Sequence, residues 1–439
     1  VPYIMPGFAL AKKAAEVFEQ DPTVEGLILL GHGHFAFGET AKESYDQIIS
    51  HTQAVADYLR IENPTNLFTR NPHAASHIFP IIRGLIGDMI GQNSPMPIMD
   101  LRNGKDELQF LKRNDLEELS TRGTASPDHV IRIKSRPLIL RETIWSKGRE
   151  AIKQELDKYA DEYKAMFERQ APLANQPKTM LPTDPKNIWM EGIGLIGLGA
   201  NAKAASIAGD LAVQNARVRA IGEDAGGFRP ISEKDLFDCE YWSLEQAKLG
   251  KGAPPKFQGK IVMITGGSGT IGFASAEAFS KLGAQTFLVD KDETTLKKAI
   301  TKLGHGHGYF PIDVTEADAA DQAMLAAIQK FGGLDILVSN AGAAHAGPML
   351  SISNDELRSA FELNFFSHYS FSTEAAKILK NQNRGGQILF NISKQAVNPG
   401  KNFGAYGLPK ATTFFLMRQL ALELGSDGIR VNGVNADRI

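Results

Sequence analysis

Residues 260–272 read Lys260-Ile261-Val262-Met263-Ile264-Thr265-Gly266-Gly267-Ser268-Gly269-Thr270-Ile271-Gly272. The apolar run at the start is typical of a buried strand, and an alanine-rich helix is predicted to follow over Phe273 to Leu282. A strand, a tight glycine turn and a helix N-terminus suit a pyrophosphate group. The glycines let backbone N–H groups come close to it, and the helix terminus carries partial positive charge. This stretch therefore predicts a dinucleotide site.

The next predicted strand, Gln285 to Val289, ends in Asp290. An acidic residue at this position can accept hydrogen bonds from the ribose hydroxyls of NAD and would repel the 2′-phosphate of NADP. We therefore expect NAD as the cofactor, although Lys291 follows directly and could soften the preference. From Lys256 onward, strands and helices alternate as in repeated βαβ units. This alternation predicts an α/β fold with a doubly wound parallel sheet covered on both faces.

A second glycine-rich stretch, Gly192-Ile193-Gly194-Leu195-Ile196-Gly197-Leu198-Gly199, matches the dinucleotide-binding pattern even better by its letters. The segment before it, Asn187 to Glu191, offers no convincing buried strand, and no acidic residue ends a following strand at the expected distance. We therefore interpret the stretch as a glycine-rich bend that lets the next helix pack closely.

Composition limits the other function classes. The chain has 439 residues, enough for two or three domains, and its net charge of −2 comes from interspersed charges, which disfavours nucleic acid or an anionic membrane as partner. Cys239 is the single cysteine, so an internal disulfide and a cysteine-rich metal site are excluded; we expect it to be partly buried. No run of ~18 apolar residues and no signal peptide are found, so a cytoplasmic location is expected.

The pattern of the remaining chain predicts further elements. They are a strand over Gly26 to Leu30, helices over Thr40 to Leu59, Lys147 to Gln170 and Asn201 to Gln214, a short strand over Arg217 to Ile221, and a solvated helix with its connection over Leu101 to Arg122. Lys251 to Pro255 is a linker signal.

Beyond the glycine turn, the chain resembles the short-chain dehydrogenases, motif after motif and in their order. The residues that carry the resemblance are Asp313-Val314, Ser339-Asn340-Ala341-Gly342, Asn364, Ser393, and Tyr406 with Lys410 in a Tyr-x-x-x-Lys pair. The resemblance implies that Ser393, Tyr406, Lys410 and Asn364 are catalytic. It implies a cofactor site made of Thr265, Gly266, Ser268, Gly269, Thr270, Ile271, Gly272, Asp290, Asp313, Val314, Asn340, Ala341, Gly342, Tyr406 and Lys410.

The spacing of Tyr406 and Lys410 has a chemical purpose. Positions i and i+4 share a helix face, so the ammonium can lie beside the hydroxyl, favour its ionised form and also bond the nicotinamide ribose. Ser393 would hold the substrate oxygen, and the family's asparagine, here Asn364, supports a water relay through a locally opened helix.

The sequence departs from the family pattern at three places. Thr270 stands at the middle glycine position and Gly269 precedes it, as in the extended members of the family. Pro409 separates Tyr406 from Lys410 and is tolerable only in a first helical turn. After the predicted strand at 430–432, the family's Pro-Gly is missing, and the chain ends short of the family's substrate loop and final strand.

The first part of the chain resembles the class II aldolase/adducin fold at Leu29 to Thr40, where the family carries the last histidine ligand of a divalent metal. The match places this ligand at His32, and zinc is the metal we expect. The family's earlier His-x-His pair and catalytic carboxylate belong to a segment that would precede Val1. A hydrogen-bonded strand-end histidine is the alternative for His32. His34 has the spacing of a metal pair with it, while His51 and His129 are expected to be structural.

Taken together, the chain resembles bifunctional enzymes that join a class II aldolase to a short-chain dehydrogenase, such as those acting on L-rhamnulose 1-phosphate and L-lactaldehyde. Further segments that resemble this family are residues 122–129 and 235–245. The predicted organisation is a class II aldolase/adducin-like domain over residues 1–175, an α/β connector over 176–255 and a Rossmann domain over 256–439. The resemblance implies sugar catabolism, with cleavage of a phosphorylated deoxyketose by one domain and oxidation of lactaldehyde by the other.

Two alternatives remain open. One is a dehydrogenase of another sugar, polyol or hydroxy compound with a non-catalytic aldolase-like domain, and the other is a non-catalytic scaffold. The expected partner is a small sugar-derived aldehyde or alcohol, without nucleic acid or membrane. A homo-oligomer is expected because the helices predicted at Asp355 to Leu379 and Tyr406 to Leu424 usually pair between subunits in the dehydrogenase family.

Overall fold

The computed structural model describes residues 1–60, 77–91, 94–247 and 252–437; Lys251 of the predicted linker lies outside them. The helices are α1 (Phe8–Gln20), α2 (Ala41–Tyr58), α3 (Ile78–Ile90), α4 (Lys105–Phe110), α5 (Leu116–Thr121), α6 (Val130–Ile133), α7 (Glu142–Trp145), α8 (Arg149–Gln170), α9 (Ala202–Asp224), α10 (Glu233–Glu240), α11 (Ser243–Ala247), α12 (Thr270–Lys281), α13 (Glu293–Leu303), α14 (Ala319–Phe331), α15 (Asn354–Phe361), α16 (Ser367–Gln382) and α17 (Gly404–Leu424). The strands are β1 (Gly26–Leu29), β2 (Gly33–Ala36), β3 (Ile98–Arg102), β4 (Leu138–Leu140), β5 (Asn187–Met190), β6 (Gly194–Gly199), β7 (Ile261–Thr265), β8 (Gln285–Asp290), β9 (Gly308–Pro311), β10 (Ile336–Ser339), β11 (Gly386–Asn391) and β12 (Ile429–Val434).

The C-terminal unit is built on a six-stranded sheet in the order β12-β11-β10-β7-β8-β9, and every neighbouring pair is parallel. Successive side chains of a strand point to opposite faces, and here both faces are buried. Ile261 and Met263 of β7 belong to the core that contains α14 and α16 residues, whereas Val262 and Ile264 belong to the core beside α12 and α13. The predicted doubly wound parallel sheet is confirmed.

The preceding unit contains a four-stranded sheet in the order β3-β6-β5-β4, with β3, β6 and β5 antiparallel and β4 parallel to β5. The prediction that Asn187 to Glu191 holds no buried strand is wrong, because β5 is buried along its whole length. The prediction of a bend over Gly192 to Gly199 is also wrong, since Gly194–Gly199 forms β6. The expected close packing of the next helix is confirmed: a Cβ added at Gly197 would lie 2.2 Å from the backbone nitrogen of Gly209 on α9.

Two other predictions for this unit need correction. Arg217 to Ile221 is not a strand but the continuation of α9, which begins after the Asn201 cap and buries Arg219. The stretch Leu101 to Arg122 is not one solvated helix: it completes β3 and then forms α4 and α5, whose apolar side chains are buried. Leu111 and Leu116, for example, are fully buried.

At the N-terminus, β1 and β2 form an antiparallel hairpin followed by α2. The predicted helix over Thr40 to Leu59 is confirmed, with a capping box between Thr40 and Glu43. Its apolar face is exposed in this structure; Tyr45 is 66% exposed and Val55 is 54% exposed. The predicted helix over Lys147 to Gln170 is confirmed as α8.

The two sheets are joined through a fully buried arginine. Arg83 on α3 donates hydrogen bonds to the carbonyl oxygen of Gly259, to the Asp335 carboxylate and to the Gln382 side chain, at 2.7–2.8 Å. A Cβ added at Gly84 would lie 1.8 Å from the Gln382 carbonyl oxygen, so α3 and α16 are in close contact. Strands β3 and β4 precede residue 175, and β5 and β6 follow it, yet all four form one sheet. The predicted domain boundary at residue 175 therefore divides this sheet. Across the described ranges, no helix is both long and apolar enough to cross a bilayer.

Candidate active site

A cleft of about 640 Å³ opens at the carboxyl ends of β7 and β10, where the strand order reverses. Ligands of doubly wound sheets bind at such switch points. Its lining brings together most of the residues named from the sequence: Gly266, Gly269, Thr270, Ile271, Gly272, Asp290, Asp313, Val314, Asn340, Ala341, Gly342, Tyr406 and Lys410. Four residues named from the sequence lie outside this lining. Thr265, Ser268 and Asn364 form hydrogen bonds to lining residues, while the Ser393 side chain bonds Gln395.

The glycine turn is shaped by space as well as by backbone angle. Gly266 has φ +62°, and an added Cβ would lie 3.0 Å from the Ala341 Cα. A Cβ at Gly272 would lie 2.1 Å from the Gly266 carbonyl oxygen, so α12 approaches the turn too closely for any side chain there. Helix α12 begins at Thr270, and the N–H groups of a first turn have no acceptor within their helix. This cradle fits a pyrophosphate.

Asp290 ends β8 beside the turn. Its carboxylate accepts hydrogen bonds from the Ser268 hydroxyl at 2.7 Å and from the Ser268 N–H at 3.2 Å. Further along the cleft, the N–H of Thr315 and the Thr315 hydroxyl bond the Asp313 carboxylate, and the backbone hydrogen bond lowers the pKa of Asp313. Lys291 stands 3.8 Å from Asp313 and is 75% exposed. Both carboxylates are thus fixed at the wall that would receive an adenosine.

Thr265 holds the backbone of the Asn-Ala-Gly segment that follows β10. Its hydroxyl accepts hydrogen bonds from the N–H groups of Asn340 and Ala341, at 2.9 and 3.1 Å. At the next residue, a Cβ on Gly342 would lie 2.8 Å from Asn364 Oδ1 and 3.4 Å from Lys410 Nζ. A side chain at Gly342 would therefore press on the Asn364 amide oxygen, which lies close beneath this loop.

Tyr406 and Lys410 lie on α17, with the ammonium nitrogen 5.9 Å from the centre of the tyrosine ring. Lys410 is 2% exposed, and burial lowers its pKa to about 8. The expectation that Pro409 lies in a first helical turn is wrong, because α17 begins at Gly404 and Pro409 is the sixth residue. Because proline has no N–H, the helical hydrogen bond from residue 409 to the Ala405 carbonyl oxygen is missing.

Asn364 sits in a π-helical turn, Glu362–Phe366, that separates α15 from α16. The predicted helix over Asp355 to Leu379 is therefore interrupted here. The Asn364 side chain is fully buried and bonds both the N–H and the carbonyl of Ala343. The opened carbonyl of Asn364 accepts a hydrogen bond from the Thr413 hydroxyl of α17 at 2.7 Å. The turn thus bonds the loop at Ala343 on one side and helix α17 on the other.

Ser393 follows β11 and is 8% exposed; its hydroxyl accepts a hydrogen bond from the N–H of Gln395 at 3.2 Å. Three residues that the sequence did not single out also belong to this region. Asn391 and His345 line the cleft, and the buried His368 of α16 contacts Lys410. The signal for His368 was its position four residues after Asn364, which places both on one helix face.

The predicted zinc ligand His32 follows β1, and its Nε2 lies 2.8 Å from the carbonyl oxygen of Ile4. Its ring stacks on Tyr3 at 5.0 Å. His34 is instead paired with His51, at 3.0 Å between ring nitrogens. No cluster of three metal-ligating side chains is found in the parts of the chain that the structure covers. The His32 Nε2 is thus engaged by a main-chain carbonyl, and the described residues place no group of three metal-ligating side chains around this ring.

Known proteins resemble both units. Residues 73–249 match the family described as aldolase class II, second domain, and residues 260–438 match short chain dehydrogenase. An uncharacterized oxidoreductase of Bacillus subtilis, YuxG, is 30% identical over the whole chain, which spans 66% of that protein. A short chain aldehyde dehydrogenase of Euphorbia lathyris is 31% identical over 41% of the chain and 64% of its own length.

Among solved structures, a 3-ketoacyl-(acyl-carrier-protein) reductase of Brucella melitensis complexed with NADH is 28% identical, with a TM-score of 0.40, and the match covers 41% of this chain and 76% of that chain. The sequence matches cover both units, and one relative matches along the whole of this chain, which spans 66% of that relative's length. The chain therefore belongs to the short-chain dehydrogenase family of oxidoreductases and carries a class II aldolase second domain in front of its dehydrogenase domain.

Proposed function

We propose that this protein is an NAD-dependent dehydrogenase of a small sugar-derived alcohol or aldehyde. One observation carries the proposal: Tyr406 and Lys410 line the same cleft as the glycine turn and Asp290. A dinucleotide held along this cleft would reach from the acidic wall to the tyrosine hydroxyl. NAD, when bound, supplies the hydride acceptor.

The chain's own residues supply proton transfer and orientation. In the oxidation of an alcohol, Tyr406 in its ionised form would take the proton of the substrate hydroxyl, and the hydride from the carbon that bears this hydroxyl would pass to the bound NAD. Lys410 would hold positive charge beside that hydroxyl, and Ser393 would bond the substrate oxygen. Asn364 acts from behind, by fixing the loop that contains Ala343.

NAD is proposed over NADP because Asp290 presents a carboxylate beside the turn. The Ser268 hydroxyl and N–H hold that carboxylate in place, so a 2′-phosphate would meet a fixed negative charge. The same assay run with NADP in place of NAD tests this choice. Turnover that is faster with NADP would contradict it.

The decisive experiment follows NADH formation by the protein with L-lactaldehyde and with a panel of sugars and polyols. Tyr406→Phe is the test variant, and Tyr309→Phe is its matched control, because Tyr309 packs against a core outside the cleft. Turnover that the test variant loses and the control keeps supports a dehydrogenase acting through Tyr406. Wild-type protein that binds NADH without turning over any substrate would contradict the proposal and favour the scaffold.

The finer assignment, lactaldehyde oxidation coupled to ketose-phosphate cleavage in sugar catabolism, rests on resemblance and stays a prediction. L-lactaldehyde therefore heads the substrate panel. Turnover of another member alone would remove the rhamnose-pathway assignment and keep the dehydrogenase. We propose no reaction at His32, where the ring nitrogen already bonds a main-chain carbonyl.

A further inference from the structure

The Lys410 ammonium has three N–H donors, and two of them have fixed acceptors in the protein. One acceptor is the carbonyl oxygen of Asn391 on β11, at 2.9 Å. The other is Nε2 of His368 on α16, at 3.2 Å. Because Lys410 also lines the cleft, the third donor is left for the cofactor and for the neighbourhood of Tyr406. The direction of that third donor depends on the first two.

His368 can accept this bond only as a neutral ring. An ammonium group donates and never accepts, so Nε2 must carry a lone pair and the ring proton must lie on Nδ1. Nδ1 is 2.6 Å from the Ser339 hydroxyl oxygen, which can accept that proton's hydrogen bond. Burial, and then the Lys410 charge, lower the pKa of His368 well below its ordinary value. The neutral form therefore persists at working pH.

We propose that His368 is a positioning residue of the dehydrogenase site, which orients the Lys410 ammonium toward the cleft and helps to keep it charged. This inference rests on the proposed function. It assigns His368 no contact with substrate or cofactor, because the ring is 1% exposed and acts through Lys410 alone.

The surroundings of Lys410 explain why such a residue is needed. Among the described residues, no carboxylate raises the pKa of Lys410, which burial alone lowers. The groups that face it are the Asn391 carbonyl, the His368 ring, the Tyr406 ring and the uncharged loop at Gly342. Two neutral acceptors thus replace the ion pair that usually accompanies a buried charge. Removing one acceptor leaves only a single carbonyl to solvate the cation.

The test compares His368→Leu with His368→Gln. Two quantities are followed against pH: the dissociation constant of NADH, measured by fluorescence titration, and kcat/KM with the best substrate of the panel. Without an acceptor at residue 368, the charged form of Lys410 is less stable. We expect the alkaline limb of kcat/KM and the break in NADH affinity to shift to lower pH by about one unit. Because the wild-type pKa of Lys410 is about 8, this shift lowers kcat/KM about twofold at neutral pH and roughly tenfold above about pH 9. Glutamine retains an oxygen at similar reach, so His368→Gln is expected to recover most of both.

His307→Gln is the matched control. His307 is a second poorly exposed histidine of this unit, bonded to the Thr286 hydroxyl on β8 and outside the cleft lining. Its loss is expected to lower stability without moving either pH dependence. A folded His368→Leu protein, by circular dichroism, whose NADH affinity and kcat/KM keep the wild-type pH dependence would overturn the inference.

Ser339→Ala decides the matter if both His368 variants fail to fold. It removes the bond to Nδ1 and is expected to move the alkaline limb in the same direction by less; an unchanged limb overturns the inference. Failure of the proposed function has a different signature, because wild-type protein would then show no NAD-dependent turnover at all. Normal wild-type turnover together with an unaffected His368→Leu variant counts against His368 alone.

Discussion

Lys410 carries its charge at a place where burial disfavours it. Water is nearly excluded from its side chain, and the pKa of about 8 lies below the ordinary value for lysine. The ammonium form is favoured below that pKa and is lost as the pH rises through it. The charge that the proposed reaction uses is therefore held close to its titration point.

We expect kcat/KM for the oxidised substrate to fall above about pH 8, because the enzyme that has bound NAD but not yet this substrate then loses the Lys410 charge. The measurement is a profile of kcat/KM from about pH 6 to about pH 10 at saturating NAD. Lys410→Arg stays protonated over this range, so its residual activity should show no decline of this kind. An alkaline limb that remained in the arginine variant would assign the titration to another group.

At the scale of elements, the π-helical turn connects two parts of the site. Its opened carbonyl at Asn364 receives the Thr413 hydroxyl, and the Asn364 side chain clamps Ala343. A hydrogen bond of this kind, buried on both sides, costs about 1–3 kcal/mol when one member is removed and the other is left unsatisfied. The Thr413 hydroxyl thus links the π-helical turn to α17.

Thr413→Val should therefore lower the free energy of unfolding by about 1–3 kcal/mol and reduce kcat, because the isosteric valine leaves the Asn364 carbonyl unbonded. Denaturant unfolding and steady-state kinetics measure the two effects. Thr412→Val is the neighbouring control, since its hydroxyl bonds only the Leu408 carbonyl of its own helix. Equal effects of the two substitutions would contradict the role given to Thr413.

The contact between β6 and α9 depends on glycines, which have no side chain to keep the two backbones apart. A Cβ at Gly197 would lie 2.2 Å from the Gly209 nitrogen and 2.4 Å from the Ala205 carbonyl oxygen, and both are backbone atoms of a long helix. We expect Gly197→Ala to destabilise this unit by several kcal/mol, on the order of the larger overpacking costs. Thermal unfolding measures it. Gly425→Ala, with open space around its Cβ and an ordinary helical φ of −61°, should be nearly neutral; a neutral Gly197→Ala would mean that the helix can move away.

The sequence predicted the dehydrogenase sheet well and the preceding sheet poorly, for physical reasons. Each strand around the glycine turn is a short apolar run next to a local signal, as at Thr265 or Asp290. By contrast, β5 and β6 are adjacent buried strands, and the glycines in and just before β6 imitate a phosphate loop. Strand β6 pairs with β3, which lies far away in the sequence. The residue types from Arg217 to Ile221 alternate as in a strand, but this segment belongs to the long helix α9, which begins at the Asn201 cap. His368 escaped notice because its contact with Lys410 spans 42 residues.

At the scale of the whole molecule, Arg83 unites the two units. Its guanidinium and the Asp335 carboxylate are both almost completely buried. Although burial alone would raise the pKa of Asp335, the charges of Arg83 and Lys260 hold it below its usual range. The carboxylate also accepts the N–H of Ile261 at the start of β7. The N-terminal edge of the dehydrogenase sheet is thus completed by a residue from the other unit.

Arg83→Met should lower the free energy of unfolding by about 3–5 kcal/mol, because it leaves the Asp335 charge buried without its main counter-ion. Denaturant midpoints followed by fluorescence and by NADH binding would measure it in both units. Arg358→Met, at an exposed ion pair with Asp355, is the control and should cost at most about 1 kcal/mol. A loss seen at Arg358 but not at Arg83 would contradict the assignment.

Self-association is expected through α16 and α17, which expose large apolar side chains. Tyr369 is 48% exposed, Phe415 is 63% exposed and Leu422 is 81% exposed. Phe415→Glu should reduce the mass measured by light scattering, whereas Phe35→Glu, at a 55% exposed position on β2, should leave it unchanged. Wild-type protein that is monomeric at micromolar concentration would contradict this expectation.

The contacts of the buried Arg83 also depend on the order in which the chain is synthesised. Gln382, one of its acceptors, follows Arg83 by 299 residues, and Asp335 follows it by 252 residues. At typical elongation rates of 5–20 residues per second, the arginine waits on the order of 15–60 s for its last acceptor. During that interval α3 presents a cation and an apolar surface without their final cover. The growing chain is therefore most prone to misassembly late in translation, after α3 has been synthesised and before Asp335 and Gln382 are available to it.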